Sequence, residues 1–205
     1  MAVLWTATGA NKLLDSGVAA ITHASAMTDF STTEASGVTR QAITWSAAAS
    51  RAKANSGSLT IPVGSGNTVV GVGLYDAVSA GNLLGIAPIG TAAQIWGTAN
   101  VAASTDIFTD LDGQTLATDD RVTFAAIEDL TVPTGITAGT LYFVLATSLT
   151  STTFQVSTTS GGAALNVTAD GAVFWMRTTP QTFAVSGNLT VASAALVVSG
   201  AALGA

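Results

Sequence analysis

The chain has 205 residues, of which 48% are hydrophobic and only 9% charged, with a net charge of −6 and no cysteine. The acidic balance argues against the phosphate-neutralising surface that a nucleic-acid binder needs, and the missing cysteines exclude disulfide staples and thiol chemistry. The apolar content is enough for one sizeable core or two small ones.

With so few charges, the surface has to be covered by hydroxyls, amides, small side chains and backbone. Such a surface repels its neighbours weakly and loses little side-chain entropy on contact, which suits faces buried in an assembly. The segment Met1 to Trp5 lacks the positive start and apolar core of a signal peptide and reads as a terminus made in the cytoplasm. Asn11 to Ile21 places Leu14, Val18 and Ile21 on one helical face, with Thr8, Gly9 and Asn11 as capping candidates.

Beyond that helix the period changes to that of strands. Gln41 to Trp45, Ser58 to Val63 and Thr68 to Tyr75 are short β-branched runs separated by Gly, Ser and Asn. The loop Gly64-Ser65-Gly66-Asn67 has no Lys-Ser/Thr pair after it, so it reads as a hairpin turn rather than a phosphate cradle. Further strands are expected at Arg121 to Phe124, Thr140 to Leu145, Thr153 to Val156, Ala172 to Met176, Thr182 to Val185 and Leu189 to Val198. From Thr178 to Ala205 there is no charge, but Pro180, Gln181, Ser186, Gly187 and Asn188 break the apolar run, so membrane insertion is not expected. Asn166-Val167-Thr168 and Asn188-Leu189-Thr190 fit the glycosylation pattern and are read as strand and turn residues.

Charge divides the chain. Between Ile95 and Thr178 lie Asp106, Asp110, Asp112, Asp119, Asp120, Glu128, Asp129 and Asp170 against Arg121 and Arg177 alone. Elsewhere Asp15, Asp29, Glu34 and Asp76 balance Lys12, Arg40, Arg51 and Lys53. The expected organisation is a host domain of residues 1–94 plus 179–205 with an inserted acidic β module at 95–178, projecting outward because its charge is costly to bury. The expected fold is all-β and mainly antiparallel: a β-sandwich-like host with one short N-terminal helix and a small β-barrel-like insert.

Candidate chemistry is sparse. His23 is the only histidine, and no nucleophile elbow marks a serine for it, so it reads as structural. Asp106, Asp110, Asp112 and Asp119, with Asp120, could supply oxygens to calcium, but only Asp110-Leu111-Asp112-Gly113 resembles a piece of an EF-hand loop; a hydrated acidic loop is the ordinary reading, and no cofactor is expected. Trp5, Trp45, Trp96 and Trp175 are scattered, which favours core or interface anchoring. Tyr142, Phe143, Phe174 and Trp175 are the candidates for a contact surface, with strand alternation burying some of them.

Two stretches resemble proteins of tailed bacteriophages. Leu13-Leu14-Asp15, Ile21 to Ser25, Arg40 to Trp45, Val72 to Asp76 and Gly81 to Gly85 resemble small structural proteins of the minor tail and tail tip. In that family the chain passes from this last strand straight to a closing pair, here Pro180 to Phe183 and Leu189 to Val191, so this chain departs from the pattern by its insertion. Asp120 to Phe124, Pro133 to Val144, Thr153 to Ser157 and Gly161-Gly162 resemble a β module of phage tail and capsid-associated proteins. The resemblance implies a non-enzymatic virion protein, a minor tail or tail-tip component, that packs against other virion proteins and copies of itself; a trimer is compatible with it. Capsid decoration is the alternative, and a receptor- or glycan-binding tail module is the third reading, favoured if exposed aromatics cluster on the insert.

Overall fold

A computed structural model describes residues 7–90, 96–127 and 131–199. The terminal segment Met1 to Trp5, Glu128, Asp129 and the last residues from Gly200 lie outside the described residues. Among the described residues the protein is mainly antiparallel β with one helix, as its patterning leads one to expect. Backbone contacts divide it into two compact units, one of residues 1–28, 34–87 and 182–205 and the other of residues 29–33 and 88–181.

The first unit opens with α1 (Ala7–Val18), which starts before the expected caps, so Thr8 and Asn11 lie inside it. The helix buries Leu14 and Val18 and ends on tight turns, Ala20 N–H to Gly17 O and Ile21 N–H to Val18 O. Its polar side chains reach a neighbouring hairpin: the Asn11 carbonyl oxygen accepts from Arg51 N–H at 2.8 Å, and Asp15 accepts from Ala48 N–H at 2.9 Å and Lys53 Nζ at 2.8 Å.

Seven strands follow: β1 (His23–Met27), β2 (Gln41–Ala42), β3 (Ala52–Ala54), β4 (Leu59–Val63), β5 (Asn67–Val69), β6 (Gly71–Tyr75) and β7 (Leu83–Pro88). β2, β1, β6 and β7 form a four-stranded sheet in that order. β6 is buried throughout its length because it is central, flanked by β1 and β7. At its middle a Cβ on Gly73 would lie 2.5 Å from Met27 Sδ, so a glycine is what lets β6 close on β1. The expected strand from Thr68 to Tyr75 is in fact two, because the chain changes partner at Val70, whose N–H bonds to Met27 O at 2.8 Å.

The second unit contains β8 (Trp96–Ala102), β9 (Ile107–Asp110), β10 (Arg121–Ala125), β11 (Tyr142–Val144), β12 (Thr153–Phe154), β13 (Val156–Ser157) and β14 (Gly171–Thr178). They form one antiparallel sheet in the order β12-β9-β8-β14-β10-β11-β13. The two outermost strands of that order, β12 and β13, are separated in the chain by Gln155 alone. A seven-stranded sheet whose edges are one residue apart must curl back on itself, and the result is a nearly closed barrel. Its interior holds Val101, Phe108, Val122, Phe124, Tyr142, Val144, Phe154, Val173 and Trp175, with Phe108 stacked between Phe124 and Phe154 at centroid distances of 4.7 and 5.1 Å.

Three last strands return to the first unit as two-stranded ribbons: β15 (Gln181–Phe183) on β5, β16 (Gly187–Val191) on β4 and β17 (Val197–Ser199) on β3. β4 alternates buried and exposed residues, as its sequence Leu-Thr-Ile-Pro-Val dictates, and tolerates Pro62 because β16 is its one ladder partner.

The outward face of the barrel as candidate binding site

Strand alternation sorts the four aromatic candidates. Tyr142 and Phe143 are neighbours on β11, and Phe174 and Trp175 are neighbours on β14, so one ring of each pair must face the interior. The interior takes Tyr142, 2% exposed, and Trp175, fully buried. Phe143 and Phe174 therefore face outward, each half-buried.

The outward rings are not bare. Phe143 carries the Arg121 guanidinium over its face at 3.4 Å from the centroid, with Arg121 directly opposite it in the β10–β11 register. Phe174 stacks on Trp96 of β8 at 5.7 Å between centroids and 25° between planes. Trp96 is 57% exposed, the most open aromatic among the described residues, and together with Phe174 it forms an aromatic step on the outer wall. Farther along the same wall, Asn100, Val101, Ala102, Thr109, Asp170, Gly171 and Ala172 line a shallow hollow of about 380 Å³. A larger hollow of about 490 Å³, lined by Thr118, Val144, Ala146, Gly162 and Ala164 among others, has Asp119 as its one charged side chain.

The acids proposed for calcium are spread over separate local tasks. Asp110 is buried and accepts from Trp175 Nε1 at 2.6 Å and from Asp112 N–H at 3.0 Å. Asp106 accepts from Val167 N–H at 2.7 Å, and Asp119 from Ser160 Oγ at 2.7 Å. Asp120 pairs with Arg177 at 2.9 Å and accepts from Ala117 N–H. Among the described residues, no three His, Cys, Asp or Glu side chains gather into a metal-binding group.

In the first unit the densest polar cluster surrounds Glu34. Arg40 meets it through Nη2 at 2.5 Å and through Nε at 3.1 Å, Ser25 Oγ donates to it at 2.5 Å, and the Arg40 guanidinium lies 3.5 Å from the centroid of Tyr75. The hydrogen bond from Arg40 holds the Glu34 carboxyl below its ordinary range against the opposing effect of burial, with Ser25 adding to it. Burial, reinforced by the Glu34 charge, pushes the Tyr75 phenol up. His23, the first residue of β1, meets Thr22 Oγ1 at 2.8 Å; that hydroxyl donates to Asp76 O at 2.7 Å, so the ring nitrogen Nδ1 is the donor to it. This cluster ties β1 and β6 to the Glu34–Arg40 segment that leads into β2 and opens onto no hollow noted above.

Sequence reasoning named Trp96 only as a scattered anchor, and the signal that could have raised it is its place at the start of an alternating run, Trp96 to Ala102, opposite β14. Residues 7–106, just under half of the chain, match the family described as Podophage GP4 fiber I protein gp80, a stretch that includes α1 and β1 to β8. No curated protein and no solved structure matches the chain. Among the described residues no helix is long and apolar enough to cross a membrane. The similarity to a phage fibre protein supports a structural, tail-associated role in a phage virion, in contact with other virion proteins.

Proposed function

We propose that this chain is a non-enzymatic minor tail or tail-tip component that works by packing against copies of itself and other virion proteins. The observation that carries the reading is the match of residues 7–106 to a phage fibre protein. The composition agrees with it: with only 9% charged residues, faces can be buried against neighbours at low desolvation cost. In a particle each subunit touches several neighbours at once, so individually weak contacts sum to firm attachment. Within the chain, the acidic segment 95–178 acts as a module inserted into a host of residues 1–94 and 179–205, a division supported by the charge split and by a barrel sheet whose strands all fall inside that segment.

The test is where the chain sits in intact particles and in how many copies, by labelled-antibody electron microscopy and quantitative mass spectrometry. A few copies at the tail end are expected. Hundreds over the head would overturn the tail reading in favour of capsid decoration, and absence from particles would overturn both.

A further inference from the structure

The antiparallel register sets Thr98 opposite Phe174, and Asn100 opposite both Ala172 on β14 and Thr109 on β9. Same-face residues along a strand are about 7 Å apart. Moving along the outer wall from Trp96 through Thr98 to Asn100, the surface therefore passes, within roughly 14 Å, from an exposed aromatic step to a shallow hollow with an apolar floor and a few polar groups. The hollow has short, stiff polar side chains at its rim: the Asn100 amide, the Thr109 hydroxyl and the Asp170 carboxylate, whose Oδ1 is held by Ala103 N–H at 2.7 Å.

This combination matches one class of ligand. A sugar ring presents an apolar C–H face, which stacks on an aromatic ring, and a rim of hydroxyls that both donate and accept. Asn and Thr can do both in return, and a carboxylate accepts two hydroxyl protons. Apolar protein partners would leave these polar groups desolvated and unpaired, at a cost. The only charge on the lining is Asp170, and the surrounding segment is strongly acidic, so sialylated or uronic sugars would be repelled.

We propose that the outer face of β8, β9 and β14 binds a neutral glycan, with one sugar ring stacked on Trp96 and a ring further along the same oligosaccharide hydrogen-bonded by Asn100, Thr109 and Asp170. This goes beyond the packing role and stands or falls separately from it, since a tail-located chain could lack the site and a chain elsewhere in the particle could possess it.

The purified full chain is titrated with neutral oligosaccharides of glucose, galactose, mannose and N-acetylglucosamine at millimolar concentration, with polysialic and polygalacturonic acids as charged comparators. Binding is read by tryptophan fluorescence and by saturation-transfer NMR, alongside Trp96→Ala, Trp96→Phe and Asn100→Ala. The expected result is binding of at least one neutral oligosaccharide, weakened tenfold or more by Trp96→Ala, severalfold by Asn100→Ala, and largely restored in Trp96→Phe. Trp96 and Asn100 are exposed, so circular dichroism should report an unchanged fold in all three variants. Failure of every neutral sugar to bind, preference for the acidic polymers, or affinity indifferent to Trp96 and Asn100 would each overturn the proposal. So would a change of oligomeric state on Trp96→Ala in sedimentation, which would make this face a contact between copies of the chain.

Discussion

Trp175 and Asp110 meet inside the barrel, indole Nε1 to carboxylate Oδ2 at 2.6 Å, and both are almost wholly buried. The bond satisfies the one polar atom of the largest side chain in the core and anchors a carboxylate that also receives Asp112 N–H. Asp110→Ala leaves the indole N–H without an acceptor in an apolar interior, and we expect a loss of about 1–3 kcal/mol in urea unfolding. Asp110→Asn, which keeps a carbonyl acceptor, should lose less. Equal stability of the alanine variant and the wild type would show that this bond is not what fixes Trp175.

The Trp175–Asp110 pair has room only because Gly97 lies opposite Trp175 in the β8–β14 ladder. A Cβ there would fall 2.6 Å from Asp110 Oδ2 and 2.7 Å from the indole. Gly97→Ala should therefore cost about 1–3 kcal/mol by overpacking, with a red shift of the Trp175 emission as the ring is displaced.

Glu34 gives the first unit an acid-sensitive joint. Its carboxyl is held below its ordinary range first by Arg40, so its contribution is present above the unfolded pKa and is lost as pH falls through the lower folded one. Thermal stability should decline as pH drops below about 4, and Arg40→Ala should flatten that decline. The same substitution should cost about 1–3 kcal/mol at neutral pH, between the values for exposed and buried pairs, since the two side chains are 14% and 24% exposed.

Asp29 makes a second acid-labile point, in the second unit. Burial pushes its carboxyl up, but hydrogen bonds from Thr33, side chain and backbone, and from Ser31 outweigh this and bring it down to about 2. The sign is the same as for Glu34: the stabilisation is intact above about 4 and disappears towards 2. Asp29→Asn should keep the turn at neutral pH, because its carbonyl can still accept from the N–H groups of Ser31, Thr32 and Thr33, yet show a shallower loss between these two pH values. Circular dichroism melts across that range would measure it.

Every ladder partner of the barrel strands is itself a barrel strand. Residues 88–181 expressed alone should accordingly unfold in one cooperative transition with the buried Trp175 as reporter. A molten, non-cooperative product would mean that the barrel depends on the rest of the chain to fold.

How much of this was legible in the sequence depended on residue type. β4, β10 and β14 are rich in β-branched and aromatic residues and announce themselves. β8 reads Trp-Gly-Thr-Ala-Asn-Val-Ala, in which Gly, Ala and Asn dilute the strand formers Trp96, Thr98 and Val101, and it is held as a strand by β14 and β9 on either side. Without β8 the barrel could not be counted, and Trp96 could not be seen beside Phe174, since the two come together only through the ladder. The facing of Phe174 and Trp175 was hidden for a different reason. Arg177 shares a side with Trp175, and a charge at that parity argues for an outward face; it sits there because it reaches Asp120 and the Thr115 carbonyl.

The barrel whose ends lie one residue apart has one further implication. A sheet with free margins offers its backbone as a template to any strand that meets it. Here the margins are β12 and β13, two residues each and joined through Gln155, so little backbone is left to template an added strand, and recognition falls to the side chains on the outer wall. Those positions carry little of the core. The barrel can therefore exchange what it touches by single substitutions while its architecture stays as it is.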